Sequence, residues 1–416
     1  MSNQLNEFRI GVDIGGTFTD IVAVNQKNGI QFNGKVLTTP KDPSEAVLNG
    51  VKNIIEKNKI DPRKCRIIHG TTLVANALIE RKGVKTALLT TQGFKDVLEI
   101  GREWRYDLFS LDLEMPPPIV PRQLRFEIEE RINFKGVVIK YLDELGLIKI
   151  ARKIAKSGVT TLAIVFMHSF KNSSHEKLAK KIIEAHLPNI NICLSSIVSP
   201  EIGEYERTST AVANAYVQPI FKSYVSSLVK GLKKIGIIND LFLMLSDGGI
   251  VHEKTAIEFP IRLVQSGPAG GAQAATLFGK LLKQDNILCF DMGGTTAKAC
   301  LIEQGKPNRT TMFEVARVFR FSKGSGLPLQ VPVVDMIEIG AGGGSIARID
   351  SMGLIQVGPD SSSSYPGPAC YGLGGKLPTV TDSDLILGYI DAENFLGGDM
   401  KLVKENAERA IKEHIA

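Results

Sequence analysis

Residues 10–24 read IGVDIGGTFTDIVAV and set Asp13, Gly15, Gly16, Thr17, Thr19 and Asp20 between two β-branched runs. An apolar run, an aspartate, two glycines with a threonine, and a second apolar run read as strand, tight turn, strand. Glycine lets the backbone turn sharply and leaves N–H groups to face an anion. The threonines add hydroxyl donors, and an aspartate at a strand end is a hard oxygen ligand for a metal or its water shell. The pattern returns at residues 288–302, LCFDMGGTTAKACLI, with Asp291, Gly293, Gly294, Thr295, Thr296 and Lys298. The two aspartates stand 291 − 13 = 278 residues apart. A single copy is a weak signal and reads more readily as an ordinary β-turn. Two matching copies point to a pair of loops that clamp a nucleotide's phosphates from both sides. The copies differ after the turn. Asp20 adds a carboxylate able to orient Mg2+ or a water, whereas Lys298 offers a point charge to a phosphate or to solvent.

Composition narrows the class. A chain of 416 residues holds roughly two to three domains at about 150 residues each. With 43% hydrophobic and 23% charged residues it is an ordinary globular composition. The net charge of +6, from 50 basic and 44 acidic residues, is spread without a basic block, which argues against nucleic acid as a partner. No apolar run approaches the ~20 residues of a membrane span, so no membrane partner is expected. The polar start MSNQLNEFRIG does not read as a signal peptide. Cys65, Cys193, Cys289, Cys300 and Cys370 are scattered and form no CxxC pair, which reads as reduced thiols in a cytoplasmic protein.

Strand and helix patterns alternate through the first two hundred residues, which predicts an α/β fold. Three consecutive prolines, Pro116 to Pro118, predict an irregular stretch between about Met115 and Pro121. A long helical zone follows from Glu204 to Lys234, and the chain closes on the helical pattern LVKENAERAIKEHIA. Further candidates sit at expected strand ends, where α/β folds place their sites. His69, before Gly70-Thr71-Thr72, reads as a substrate contact or proton shuttle, or as a hydrogen-bonded loop organiser. Asp247 in SDGGI reads as a general base or as part of a turn. The run GAGGGSIA, with Gly342, Gly343 and Ser345, reads as backbone approaching a nucleotide or as a crowded turn. No HExxH, GxSxG or GxxxxGK[ST] string occurs.

Several long strings then agree at once: HGTTLVANALIERKG, GREWRYDLFSLDLE, PRQLRFEIEERI, EYERTSTAVANAYVQP, SGPAGGAQAA, FDMGGTTAKA, EIGAGGGSIARID and GPACYGLGGKLPTVTDSDLILGYI. In this order they resemble the hydantoinase A/5-oxoprolinase family, from Phe8 to about Ala410. The resemblance implies an actin/sugar kinase/Hsp70-like fold, with ribonuclease-H-like domains around a nucleotide cleft. It implies ATP and Mg2+ as cofactors. Asp13, Gly15, Gly16, Thr17 and Thr19 would form the first phosphate loop. Asp291, Gly293, Gly294, Thr295 and Thr296 would form the second, with Gly342 and Gly343 near the nucleotide. Asp13 and Asp291 would hold Mg2+ through intervening waters, and Asp20, His69 and Asp247 are the catalytic candidates.

The implied reaction is the ATP-dependent opening of a cyclic amide or imide, such as a hydantoin, lactam or 5-oxoproline. Phosphorylation of a sluggish carbonyl oxygen makes a leaving group, and water opens the ring. The alternatives are a subunit of an ATP-dependent ketone carboxylase, or a fragment inactive without a partner. Implied partners are the cyclic substrate, a B-type hydantoinase subunit and a separate C-terminal segment. The domain expectation is an N-terminal region at 8–200 with the first phosphate loop and a core region at 201–416 with the second. The family's further GGAGP-like, base-binding segment is missing after Lys376, so the second domain is expected to be incomplete.

Overall fold

The computed structural model describes residues 7–15, 18–39, 42–294, 296–319, 322–398 and 400–415. It divides into two compact units, Met1–Gly270 with Arg309–Val334, and Gly271–Asn308 with Asp335–Ala416. These units follow packing and do not follow the motif-based division at residue 200.

The first unit opens with a meander of β1 (Phe8–Ile14), β2 (Phe18–Asn25) and β3 (Gln31–Leu37), paired antiparallel. Successive strand side chains point to opposite faces. Ile10, Val12 and Ile14 therefore share one buried face with Ile21 and Ala23. Helix α1 (Pro43–Lys57) starts where the Asp42 side chain accepts the Ser44 N–H, with Pro43 in the first turn. It lays Val47, Val51 and Ile54 on that face. β4 (Cys65–Thr71) then pairs parallel to β1, and α2 (Leu73–Ile79) follows.

A second, all-parallel sheet comes next. Its strands are β5 (Thr86–Thr91), β6 (Arg125–Ile128), β9 (Thr161–Val165) and β10 (Asn191–Leu194), in the order β10-β9-β5-β6. Between them lie α3 (Val97–Ile100), the small hairpin β7 (Arg131–Ile132) and β8 (Val138–Lys140), α4 (Glu144–Ser157) and α5 (Ser174–His186). The triple-proline stretch is irregular, as its composition predicts. After α6 (Ser195–Val198), the long helix α7 (Glu204–Ile235) packs against both α1 and this sheet. β11 (Leu241–Met244) then joins β4 in parallel, and β12 (Ile250–His252) turns back along β11. The first sheet thus runs β12-β11-β4-β1-β2-β3. Three antiparallel strands extended by parallel β4 and β11 are the arrangement expected of a ribonuclease-H-like domain. Helices α8 (Glu253–Glu258) and α9 (Ser266–Leu282) follow.

The second unit repeats the opening hairpin as β13 (Ile287–Met292) and β14 (Ala297–Glu303), with the short β15 (Lys306–Pro307). The chain then returns to the first unit as the hairpin β16 (Arg309–Val315) and β17 (Leu327–Val334), whose Leu329, Val331 and Val333 enter the main core beside α7. β18 (Ile337–Ile339) comes back to pair with β14. The hairpin β19 (Ser345–Ile349) and β20 (Ile355–Ser361), α10 (Val380–Ile386) and α11 (Lys404–His414) complete the unit.

A buried polar network fixes α7 to the second sheet. Arg207 is 1% exposed and donates to the Phe166 carbonyl at 2.9 Å, to Ser195 Oγ at 2.8 Å and to Ser169 Oγ. Glu176 is 0% exposed and accepts from Ser195 Oγ at 2.6 Å and from the N–H groups of Phe166 and Ser196. Ser195 thus bridges two opposite buried charges. Removing either partner strands the other in a low-dielectric interior. Arg207→Met or Glu176→Ala is expected to cost about 3–5 kcal/mol in chemical denaturation. Arg122→Ala, which breaks an exposed pair with Asp96, is expected to cost less than about 1 kcal/mol. Equal losses at the two places would contradict this ranking.

Candidate functional site

The turn of the first hairpin closes through the Gly15 N–H, which donates to the Phe18 carbonyl at 2.8 Å. The second closes in the same way, from the Gly293 N–H to the Thr296 carbonyl at 2.9 Å. The registers also match. Asp13 lies opposite Asp20 and Ile14 opposite Thr19, while Asp291 lies opposite Lys298 and Met292 opposite Ala297. The repeated motif is therefore one structural element built twice. Gly16, Thr17 and Thr295 lie outside the described residues.

Strand alternation sorts the remaining candidates. Asp13, Asp20 and Gly70 are in register across β2, β1 and β4, so they share one face. The Asp13 carboxylate sits close to the end of β4 and the first turn of α9. A methyl group added at Gly70 would stand 3.0 Å from Asp13 Oδ1, and one at Gly267 would stand 3.4 Å from it. A side chain at Gly70 would crowd that carboxylate, whereas one at Gly267 would only touch it. Ser266 ties α9 to β4, accepting the Thr71 N–H at 2.9 Å and donating to the Thr71 carbonyl at 2.8 Å. The helix N-terminus, with its positive dipole end, is thereby held beside an exposed carboxylate. The sequence signal for this was Pro268 in the first turn of the SGPAGG helix.

Each hairpin carries a row of charges across three strands. In the first unit it is Asp13, Asp20 and Lys35, the last two in register and ion-paired. In the second it is Asp291, Lys298 and Glu338, with Lys298 Nζ 3.2 Å from Glu338 Oε1. Asp20 and Lys298 are thus already engaged by side-chain partners. Each row of three sums to one negative charge.

Several candidates take other places. Thr19 pairs with Ile14 on the core face, and it is fully buried. Its hydroxyl meets Thr38 Oγ1 at 3.1 Å, and Thr38 donates to the Gly15 carbonyl at 3.0 Å. Thr19 braces the loop from behind and does not face a phosphate. His69 is in register with Val12, on the face opposite Asp13. It is 0% exposed, with Nδ1 3.3 Å from the Val12 carbonyl and Nε2 2.7 Å from the Tyr224 hydroxyl. The ring is a tie between β4, β1 and α7, buried on the face away from Asp13. Asp247 lies in the β11–β12 turn and uses Oδ1 to accept the Gly249 N–H at 2.9 Å. Gly342 and Gly343 also differ from expectation, because their N–H groups are used internally. Gly342 donates to Ser345 Oγ at 2.8 Å, and Gly343 and Gly344 donate to the carbonyls of Gly293 and Gly294 at 2.9 and 2.7 Å. This run clasps the second turn by its backbone. A methyl group at Gly344 would stand 3.0 Å from the Gly294 carbonyl. Burial pushes the pKa of the Cys193 and Cys300 thiols up to about 11, which disfavours the thiolate at neutral pH.

Family models cover most of the chain. The hydantoinase/oxoprolinase N-terminal region matches residues 9–187, and hydantoinase/oxoprolinase matches residues 207–416. The chain belongs to the hydantoinase/oxoprolinase family. It is 44% identical over 411 residues to an uncharacterized protein of Methanocaldococcus jannaschii, covering 97% of this chain and 60% of that protein. It is 37% identical over 426 residues to caprolactamase subunit alpha of Pseudomonas jessenii, covering 100% of this chain and 59% of the subunit. The solved structure of the ATP-dependent caprolactamase superposes with a TM-score of 0.82 at 35% identity, over 97% of this chain and 58% of that one. Nucleotide-free acetone carboxylase gives 0.76 at 28% identity, over 98% and 58%. The α/β fold of this chain is shared with both solved structures. The chain spans about 60% of the length of the first two relatives. No helix among the described residues is long and apolar enough to cross a membrane.

The His69 tie has a pH signature. Burial pushes the pKa of its imidazole down to about 4, against the ordinary 6.5 of histidine. Between those values the unfolded chain binds the proton and the folded chain does not, so stability rises with pH. The contribution is complete above about pH 6.5 and is lost as pH falls toward 4, worth about 3 kcal/mol in all. Denaturation of the His69→Gln variant is expected to show a flatter slope across this window. A His69 ring resonance titrating near the unperturbed value would overturn the assignment.

Proposed function

We propose that this chain is the nucleotide-handling part of a subunit of an ATP-dependent enzyme that opens a cyclic amide or imide. The observation that carries the reading is the twice-built hairpin, with the same N–H closure and a carboxylate at the same position in both copies. Family membership and the ATP-dependent caprolactamase relative support it. Asp13 and Asp291 would hold Mg2+ through its waters, as hard oxygen donors suit that ion. An exposed Asp13 carboxylate flanked by glycines fits a hydrated cation in donor chemistry and in room. Gly15, Gly16, Thr17, Gly293, Gly294, Thr295 and Thr296 would line the phosphates. ATP supplies a phosphoryl group that turns the carbonyl oxygen of the cyclic amide into a leaving group.

The protein's own task in such chemistry is alignment and charge compensation. Thr19, Thr38 and the Gly342–Gly344 run hold the two turns in shape. Asp20 and Asp247 are the side chains proposed to orient substrate or water, Asp20 on release from Lys35 and Asp247 from its turn. The motif-based division, 8–200 with the first loop and 201–416 with the second, is retained as the proposed functional division. A B-type subunit is the proposed partner, and the cytoplasm, where its thiols stay reduced, the proposed compartment. A ketone carboxylase is the second reading, favoured by the likeness to acetone carboxylase. Phosphate release stimulated by a lactam, hydantoin or 5-oxoproline separates it from release that needs a ketone and bicarbonate.

In the assembled enzyme, Asp13→Ala and Asp291→Ala are each expected to lower substrate-stimulated phosphate release by about a hundredfold or more. Undiminished turnover in either variant would sink the two-loop clamp.

A further inference from the structure

The second hairpin carries two thiols face to face. Cys289 of β13 lies directly opposite Cys300 of β14, in an unbroken antiparallel register. Both are free, Cys289 half-buried and Cys300 buried. Among the described residues no other two cysteines share a rung, since Cys65 lies beside Phe8 and Cys193 beside Ala163. A shift of 291 − 13 = 278 residues places Gly11 and Val22 at the matching rung of the first hairpin. The thiol pair is therefore a feature of the second copy alone. It sits one rung from Asp291 and Lys298 and on their face, because strand side chains alternate.

The rung has a geometry that a disulfide can reach under strain. The Gly293 N–H donates to the Thr296 carbonyl, so Gly293 and Thr296 form a hydrogen-bonded pair. Such pairs recur every second residue of an antiparallel ladder, at Asp291 with Lys298 and then at Cys289 with Cys300. Their Cα atoms stand about 5.5 Å apart, inside the span of about 4.4–6.8 Å that a disulfide bridges. The Cβ atoms at such a rung are about 5.5 Å apart, whereas a disulfide wants about 3.5–4.5 Å. Closing the bond draws the strands together by about 1 Å, and a bond formed under that strain is readily reduced. That is the behaviour of a switch, not of a structural staple.

We infer that Cys289 and Cys300 are a site of reversible oxidation, closing to a cross-strand disulfide that locks the hairpin bearing Asp291. The oxidant is a low-molecular-weight disulfide. The more accessible Cys289 sulfur gives its proton to solvent and attacks one sulfur of the oxidant. The oxidant's sulfur–sulfur bond breaks, one thiolate leaves, and Cys289 is held as a mixed disulfide. Cys300 then loses its proton and attacks Cys289 Sγ, and the second thiolate leaves. The two cysteines lose two electrons and two protons in all, and the oxidant takes them up as two small thiols. Burial disfavours the Cys300 thiolate, which suits Cys300 to the second step, where the reacting sulfur is held against it. The lock displaces the rung next to Asp291, so oxidation weakens Mg-ATP binding. That last consequence rests on the role proposed above for Asp291, and the disulfide itself does not.

The test incubates the reduced full chain with oxidised glutathione, then alkylates, digests and maps it by mass spectrometry. The expected product lacks two hydrogens, links Cys289 to Cys300 within one chain, and returns to the dithiol with dithiothreitol. Cys65, Cys193 and Cys370, all buried, keep their thiols. Cys300→Ser is expected to stop at the first step and hold glutathione on Cys289, and Cys289→Ser to take up none. A wild-type chain that keeps glutathione on Cys289, links Cys289 to a second copy, or leaves both thiols unreacted would overturn the inference. Mg-ATP titrated into the two wild-type forms is expected to bind the oxidised one about tenfold more weakly. Equal affinity would overturn the coupling to Asp291. A mapped disulfide in a chain that binds no Mg-ATP in either form would refute the phosphate-loop reading and leave the thiol switch standing.

Discussion

The constraint on which the site depends is the two-residue period of the β-strand. In a hairpin that ends in Asp-Ile-Gly or Asp-Met-Gly, the aspartate and the apolar residue next to it must take opposite faces. The apolar positions then belong to a core, and the carboxylate is delivered to the other side at the lip of the turn. In the first unit this division is complete. Val12, Ile14, Thr19 and His69 go inward, and Asp13, Asp20 and Gly70 share the outer face. The carboxylate then meets the N-terminus of α9, which Ser266 holds against β4.

Much of this was legible in local sequence. The hairpins, the alternating first two hundred residues, the long helix from Glu204 and the irregular proline stretch all follow from periodicity and turn chemistry. The face of Thr19 is settled by counting. Thr19 is one residue from Asp20, so it cannot share a face with it within one strand. A hydroxyl near a glycine turn suggests a phosphate ligand, and strand parity turns this one into the core. The position of His69 was not legible in the same way. Its parity matters only once β4 is known to lie parallel to β1 with Gly70 opposite Asp13, and parallel register is set by long-range packing.

The other missing information is also long-range. Nothing near Gly342 announces that its neighbours Gly343 and Gly344 donate to carbonyls some fifty residues earlier, at Gly293 and Gly294. Nothing local pairs Lys298 with Glu338 or joins Ser195 to both Arg207 and Glu176. The departure of the chain at Arg309 to form β16 and β17 in the first unit is likewise a matter of burial. Leu329, Val331 and Val333 find their core beside α7, not beside the strands that precede them in sequence.

The duplicated hairpin also shows how one sequence pattern can carry different energetics. Fully burying a Leu, Phe or Met side chain is worth about 1.5–3 kcal/mol each. The first hairpin collects this from Ile10, Val12 and Ile14, while Leu288, Phe290 and Met292 leave most of it uncollected. Strand propensity and the N–H closure of the turn still form the second hairpin, and the Gly342–Gly344 run clasps it by backbone hydrogen bonds that owe nothing to that face. A turn held by its backbone keeps its shape without burial of that face, so the geometry of the turn and the burial of the sheet are separable properties of the same fifteen residues.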